Sequence, residues 1–180
     1  MKTRYDNVHI TLHWVIALLI VFNFALGLYM ADLPLSPHKL QRISWHKWAG
    51  VTIFLLVALR LFWRATHEVP PPVAGMPRWQ HIASVATHHT LYLLMVAAPV
   101  SGWLMSSAYG FQTVWFGLVP LPDLLDKSKE VADVLKEVHE MLNWGMAMLV
   151  LLHLAAAVKH HFIDKDGLLF RMSPFGAREN

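Results

Sequence analysis

Four apolar stretches, each about as long as a lipid hydrocarbon core is thick, decide what this chain can fold into. They run roughly over Ile10–Met30, Trp45–Trp63, Ala86–Ala108 and Val138–Phe162. A helix of about 20 residues crosses a core of about 30 Å. Inside hydrocarbon every backbone N–H and C=O must be satisfied within the segment, so each stretch reads as a transmembrane helix. The competing reading is a greasy soluble helical domain. With 56% hydrophobic residues and 15% charged ones gathered between the apolar runs, the composition argues against it. Pro34 and Pro37, then Pro70, Pro71, Pro72 and Pro77, then Pro120 and Pro122 break the connectors. Pro99 falls inside the third span and is expected to kink it, which membrane helices tolerate. Residues 123–137 are charged with Val and Leu at helical spacing, so the fourth helix is expected to begin before the bilayer does. The first run lacks a small-residue cleavage site and exceeds a signal-peptide core, so it reads as a retained span. The expected architecture is an all-α membrane protein, one four-helix transmembrane domain over residues 1–180 without internal repeats.

Basic residues orient the bundle. With the N-terminus inside, the inner segments hold Lys2, Arg4, Arg60, Arg64, Arg78, Lys159, Lys165, Arg171 and Arg178. The outer ones hold Lys39, Arg42, Lys47, Lys127, Lys129 and Lys136, nine against six. The positive-inside rule then puts both termini in the cytoplasm. A net charge of +3, scattered along the chain, argues against nucleic acid as a partner.

Four of the twelve histidines, His13, His46, His139 and His153, lie inside or at the lip of the apolar runs. An ionisable side chain in hydrocarbon marks a functional site. His139 and His153 are fourteen residues apart on one helix, four turns, so they share a face about 21 Å apart along the axis. His13 and His153 match in depth near the inner face, and His46 and His139 near the outer one. Each pair can straddle one iron, which predicts two bis-histidine b haems stacked across the bundle. Such coordination is closed to exogenous ligands and suits electron transfer. The chain has no cysteine, which excludes disulfides, iron–sulfur clusters, thiolate zinc sites and covalently attached haem.

Further residues are drawn in by position. Gly50 lies one turn below His46 and leaves room for a flat macrocycle. Arg60 lies on the same face at the depth of the inner pair, where it either neutralises a haem propionate or snorkels with Arg64 to the headgroups. His160 shares a face with His153, but from His139 to His160 is about 31 Å, too far for two irons within the core. His160 and His161 then fall at the cytoplasmic boundary and suit a quinone head group, proton exchange or a plain interfacial role. His88 or His89, at the inner end of the third helix, suits a propionate or quinone contact, or a wet interfacial position. His9 forms an i,i+4 pair with His13 that could take zinc or copper, but it reads as a polar residue close to water. His38, His67 and His81 read as loop residues. Most of the tryptophans fall near span ends, as an aromatic belt requires.

Several segments together resemble one family. RYDNVHITLHW with Gly27 downstream, ISWHKWAGVTIFLLVALRLFWR, HHTLYLLMVAAPVSGW, the VHE before helix four and the ending LLHLAAAVKHHFIDKDGLLFRMSP are similar to bacterial cytochrome b561, in order and over nearly the whole chain. The resemblance implies haem ligands at His13, His46, His139 and His153. It also implies a four-helix inner-membrane protein with two b haems that moves electrons to or from ubiquinone. One characterised relative oxidises periplasmic superoxide and passes the electron to ubiquinone. Arg42 and Lys47, with Lys127, Lys129 or Lys136, could attract such an anion, while six carboxylates between Asp123 and Glu140 leave that face roughly neutral. A quinol-linked relay or anchor for a periplasmic redox protein is the alternative. A histidine-lined metal-ion carrier is a further one, which the near absence of carboxylates in the spans disfavours.

Overall fold

The computed structural model describes residues 4–73 and 75–175; Lys2 and Arg178, counted above for orientation, lie outside the described residues. Its frame is four long helices, α1 Asn7–Ala31, α2 Pro37–Thr66, α3 Arg78–Ala108 and α4 Lys129–Lys159. All four are long and apolar enough to cross a membrane. Each helix outruns the apolar run inside it because the added turns lie beyond the hydrocarbon, where caps rather than hydropathy define the ends. Asp6 accepts the His9 N–H at 2.9 Å and starts α1. Ser36 caps α2 by accepting from Lys39 N–H, and Pro37 sits in the first turn, where no N–H is needed. Ser128 caps α4 in the same way through Val131 N–H. Lys39 also turns its ammonium onto the carbonyls of Ala31 and Leu33, at 3.3 and 2.6 Å, and so satisfies the end of α1.

Two sequence expectations change with these boundaries: His38 lies in α2 and His81 in α3, not in loops. His67 stands just past the end of α2, at the start of the connector, with its ring stacked on that of Trp63 at 3.7 Å. Pro99 lies inside α3, which runs unbroken from Arg78 to Ala108. The connector between α3 and α4 carries a two-stranded antiparallel hairpin, β1 Val114–Trp115 and β2 Val119–Pro120. Three residues join the strands, and the first two, Phe116 and Gly117, have φ of 51° and 72°, the left-handed values of a tight turn.

The closest packing is α3 on α4 and α1 on α2, with α2 on α3 next. α4 stands farther off from α1 and α2 than from α3. Leu12, Ile16, Ile53 and Val57 form the buried nucleus, with Trp63, Tyr92 and Met95 packed around it. Outside that nucleus large apolar side chains such as Leu18, Phe22, Phe62, Leu93 and Leu152 face outward, as a lipid-solvated bundle demands. At the end of the bundle that carries both termini, named the inner end after the expected orientation, the C-terminal segment folds back over the start of α1: Tyr5 N–H donates to Arg171 O, the Arg4 guanidinium to Ser173 O, and Trp14 Nε1–H to Met172 O.

Candidate functional site

The gap between α4 and the α1–α2 pair is bridged by histidines at two levels. His46 of α2 faces His139 of α4 with ring centres 6.1 Å apart and planes at 86°. His13 of α1 faces His153 of α4 at 6.3 Å and 76°. With metal–imidazole bonds of about 2 Å, two imidazoles on opposite sides of one metal have centres about 6 Å apart. Both pairs therefore fit an iron held between them, and all four rings are half-buried.

The outer pair carries a second mark of a metal site. His46 Nδ1 lies 3.2 Å from the carbonyl of Asn23, and His139 Nδ1 lies 3.0 Å from the carbonyl of Ala98. A carbonyl can only accept, so each Nδ1 is the protonated nitrogen and each Nε2 keeps its lone pair. Ligand histidines are held by this kind of hydrogen bond on the ring nitrogen that does not bind the metal. Ser101 Oγ donates to the same Ala98 carbonyl at 2.8 Å and stands 3.0 Å from His139 Nδ1.

One device produces both contacts. On α1 the accepting carbonyl belongs to Asn23 and the residue one turn later is Gly27; on α3 it belongs to Ala98 and the residue one turn later is Gly102. A Cβ at Gly102 would stand 3.0 Å from His139 Cε1 and 3.2 Å from Nδ1, and one at Gly27 would stand 3.3 Å from His46 Cε1. The missing side chain lets the imidazole of the adjacent helix reach the helix carbonyl. Sequence reasoning missed Gly102, Ser101, Asn23 and Ala98 in this role, because each acts on a histidine of another helix. Gly50 differs: a Cβ there would meet only Asn23 Nδ2 at 3.9 Å, so that position borders open space and touches neither ring.

The inner pair lacks this arrangement. Among the described residues neither His13 nor His153 has a hydrogen-bond partner within the protein. The ring against His153 is His88, at 5.2 Å and 81°. His88 Nδ1 lies 2.7 Å from the carbonyl of Ser84. His89 makes the equivalent bond to Val85 and, like His88, is exposed. Arg60 Nε–H donates to Tyr92 Oη at 2.9 Å, so its guanidinium is tied to α3 rather than carried out to the headgroups with Arg64.

Below the inner pair the structure corrects the reading of His9. It is 2% exposed rather than open to water, with Asp6 bound to its ring and the Tyr5 ring 5.4 Å away. Its Nδ1 lies 2.8 Å from Asp6 Oδ2, and Trp63 Nε1–H donates to the same carboxylate at 3.3 Å. Partial burial alone would raise the Asp6 pKa, but the N–H donors of His9 and Trp63 outweigh it and hold the carboxyl down at about 2. His160 and His161 lie in a wide π-type turn, His160–Asp164, that follows α4. His160 Nδ1 is 2.6 Å from Asp166 and 3.1 Å from Asp164, and the His161 ring meets Phe170 edge-on at 5.4 Å.

On the outer face Lys47 Nζ donates to Phe111 O at 3.0 Å, Lys129 pairs with Asp133 at 2.6 Å, and the Arg42 guanidinium lies 4.3 Å over the Trp45 ring, its Nε–H 3.4 Å from His38 Nε2.

Comparison with known proteins finds similarity over almost the full length. The profile of the family described as prokaryotic cytochrome b561 matches residues 4–175. The chain is 34% identical to cytochrome b561 homolog 2 of Escherichia coli (strain K12) over 172 residues, 94% of this chain and 90% of that protein. It is 30% identical to cytochrome b561 homolog 1 of the same organism over 174 residues, 95% and 97% of the two. To the probable superoxide oxidase CybB of Yersinia pestis it is 29% identical over 175 residues, 97% and 98%.

Proposed function

The chain belongs to the prokaryotic cytochrome b561 family, multi-pass bacterial inner-membrane cytochromes b that transfer electrons, and on that premise we propose that it holds two b haems and passes electrons from superoxide outside to ubiquinone in the membrane. The observation that carries the two-haem reading is the pair of facing imidazoles at each of two levels, 6.1 and 6.3 Å between centres. His46 and His139 hold the outer haem, and His13 and His153 the inner one. When bound, the haems supply one-electron redox centres in series between the two membrane faces.

The protein's own contribution is positional. The carbonyls of Asn23 and Ala98 keep a proton on Nδ1 of the outer histidines and turn Nε2 toward the iron site. Gly27 and Gly102 admit those rings to the carbonyls. A haem held by two histidines would have no coordination position free for oxygen and would supply outer-sphere electron transfer. At the inner face His160, between Asp164 and Asp166, and His161 are placed to exchange protons with a quinone bound there. At the outer face Arg42, one helical turn before His46 in α2, is a cation suited to draw in a small anion. The name of the Yersinia pestis relative supports superoxide as that anion. With the N-terminus inside, the basic residues favour the cytoplasm for both termini.

The first test is a reduced-minus-oxidised spectrum with a pyridine haemochrome assay on purified protein. Two b haems per chain are expected; none removes the reading. His46→Ala and His139→Ala should each cost the same haem, and His13→Ala and His153→Ala the other; any other grouping breaks the pairing. Stopped-flow reduction by superoxide, with and without ubiquinone, then tests the donor. A protein that superoxide does not reduce is instead a relay for a periplasmic redox partner.

A further inference from the structure

From Tyr109 to Pro122 the connector between α3 and α4 carries no charged residue and is rich in large apolar ones. Several of these face outward: Phe111 is 65% exposed, Phe116 54% and Leu118 82%. Clustered apolar exposure of this kind marks a surface that meets something other than water.

The hairpin does not stand clear of the helices. Trp48 Nε1–H donates to Val114 O at 2.7 Å, and Trp115 Nε1–H donates to Thr52 Oγ1 at 3.3 Å. The apolar run of α2 opens at Trp45, and Thr52 lies seven residues further along, about 10 Å deeper. α1 gives a similar depth. Its Asn23 carbonyl is level with the His46 ring, and Leu19, one turn away, lies about 6 Å further in. The Phe116 ring, 5.3 Å from that of Trp48, joins Leu19, Phe22, Trp45 and Thr52 in lining an apolar cleft of about 330 Å³.

Backbone that leaves the helical conformation is stable at such a depth only if its polar groups are bonded within the protein. The hairpin meets that demand. Gly117 N–H donates to Val114 O at 3.2 Å, Leu118 N–H to Trp115 O at 3.0 Å and Leu121 N–H to Thr113 O at 2.8 Å, beside the pairing of β1 with β2. The chain climbs out again at Pro122, whose carbonyl accepts from Trp103 of α3, and the first charge, Asp123, follows at once.

We propose that this hairpin is a re-entrant element seated in the lipid leaflet on its side of the membrane, with Phe116 and Leu118 among phospholipid acyl chains. Acyl chains fit better than a protein partner because the hairpin surface continues into helix surface that faces lipid. Phe22, which lines the cleft with Phe116, is itself 53% exposed on the outside of α1. The inference needs only the four spans, neither the haems nor a choice of inner and outer face.

The chain has no cysteine, so one substitution gives one labelling site. For the test, Leu118→Cys and Phe116→Cys are made in the full chain, spin-labelled and reconstituted in phosphatidylcholine–phosphatidylglycerol vesicles. Electron paramagnetic resonance then compares collisions with oxygen, which concentrates in hydrocarbon, and with a water-soluble nickel chelate. Leu93→Cys, outward-facing within α3, is the hydrocarbon standard, and Lys129→Cys, at the start of α4, is the water standard. The oxygen-to-nickel ratio at Leu118 is expected to lie near that of Leu93 and several-fold above that of Lys129. A ratio nearer to that of Lys129 overturns the proposal. So does spin–spin broadening at Leu118, which would mean that a second copy of the chain covers the hairpin. Where Phe116→Cys disturbs the turn, Leu118 decides, because its exposed side chain can be shortened with little loss of packing.

Discussion

The two ends of the bundle hold their histidines by different means. At the outer end the rings of His46 and His139 lie against helix backbone: a carbonyl takes each Nδ1–H, and a glycine one turn later clears the way. The connector above them is tied down largely through main-chain oxygens, with Leu121 N–H to Thr113 O at 2.8 Å, Ser128 N–H to Ala108 O at 2.9 Å and Trp103 Nε1–H to Pro122 O at 3.0 Å. At the inner end the neighbours are side chains: His88 beside His153, Arg60 on Tyr92, and Asp6 shared by His9 and Trp63. Backbone contacts survive most substitutions but admit no bulk, whereas side-chain contacts are lost one residue at a time. The outer end should therefore be broken by added volume, and the inner end by deletion.

The largest effect tests the volume half of that contrast. In Gly102→Ala the new methyl group would stand 3.0 Å from His139 Cε1 and 3.2 Å from its Nδ1, so the imidazole is pushed aside at the very nitrogen that bonds the Ala98 carbonyl. Loss of such an outer-shell contact weakens metal-site affinity by about 10–100-fold. The expected result is a protein that keeps the inner haem and loses most of the outer one, read from the haem count. Gly27→Ala is the milder case, because its methyl would stop at 3.3 Å from His46 Cε1 and a shift of a few tenths of an ångström relieves it. Equal losses in the two variants would mean that contact distance is not what sets them.

Much of this arrangement was legible in the residues, and what was not has a physical reason. Hydropathy marks the four spans because hydrocarbon imposes one rule on every residue of a span. Helical periodicity and depth then pair His13 with His153 and His46 with His139, the rings that lie 6.3 and 6.1 Å apart. The starts of α2 and α3 were not legible, because turns in water at His38 and His81 lie outside the apolar runs, whereas the start of α4 at Lys129, ahead of its apolar run, follows the helical spacing of Val and Leu there. The hairpin at Val114–Pro120 has strands of two residues, too short to show alternation. Gly27 and Gly102 look like ordinary membrane-helix glycines until the partner helix is in place. His9 was misread because its burial depends on where Asp6, Tyr5 and the distant Trp63 come together, which the local sequence does not tell.

A smaller effect tests how far the outer ring depends on the backbone alone. Ser101→Ala removes a hydroxyl 3.0 Å from His139 Nδ1 but leaves the Ala98 carbonyl, itself at 3.0 Å. The outer haem should stay bound, with an affinity loss below the about 10-fold at the lower end for outer-shell deletions. A loss as large as that of Gly102→Ala would transfer the main role from the carbonyl to the hydroxyl and blur the contrast between the two ends.

The smallest effect belongs to the inner end and carries its own pH signature. Asp6 caps α1 and accepts from His9 and Trp63, so Asp6→Ala should lower stability by about 1 kcal/mol, the usual worth of an N-cap. The folded carboxyl is held at about 2, below its ordinary value of 3.8, so folding favours its charged form. That contribution is fully present above pH 4 and fades as the pH falls through the folded value near 2. The gap in thermal midpoint between the unmodified protein and Asp6→Ala, measured in detergent, should therefore be constant from pH 7 to about 4 and close below it. A gap that stays open at pH 2 would mean that Asp6 acts by filling space, and the inner end would then resemble the outer one in depending on volume rather than on a removable polar contact.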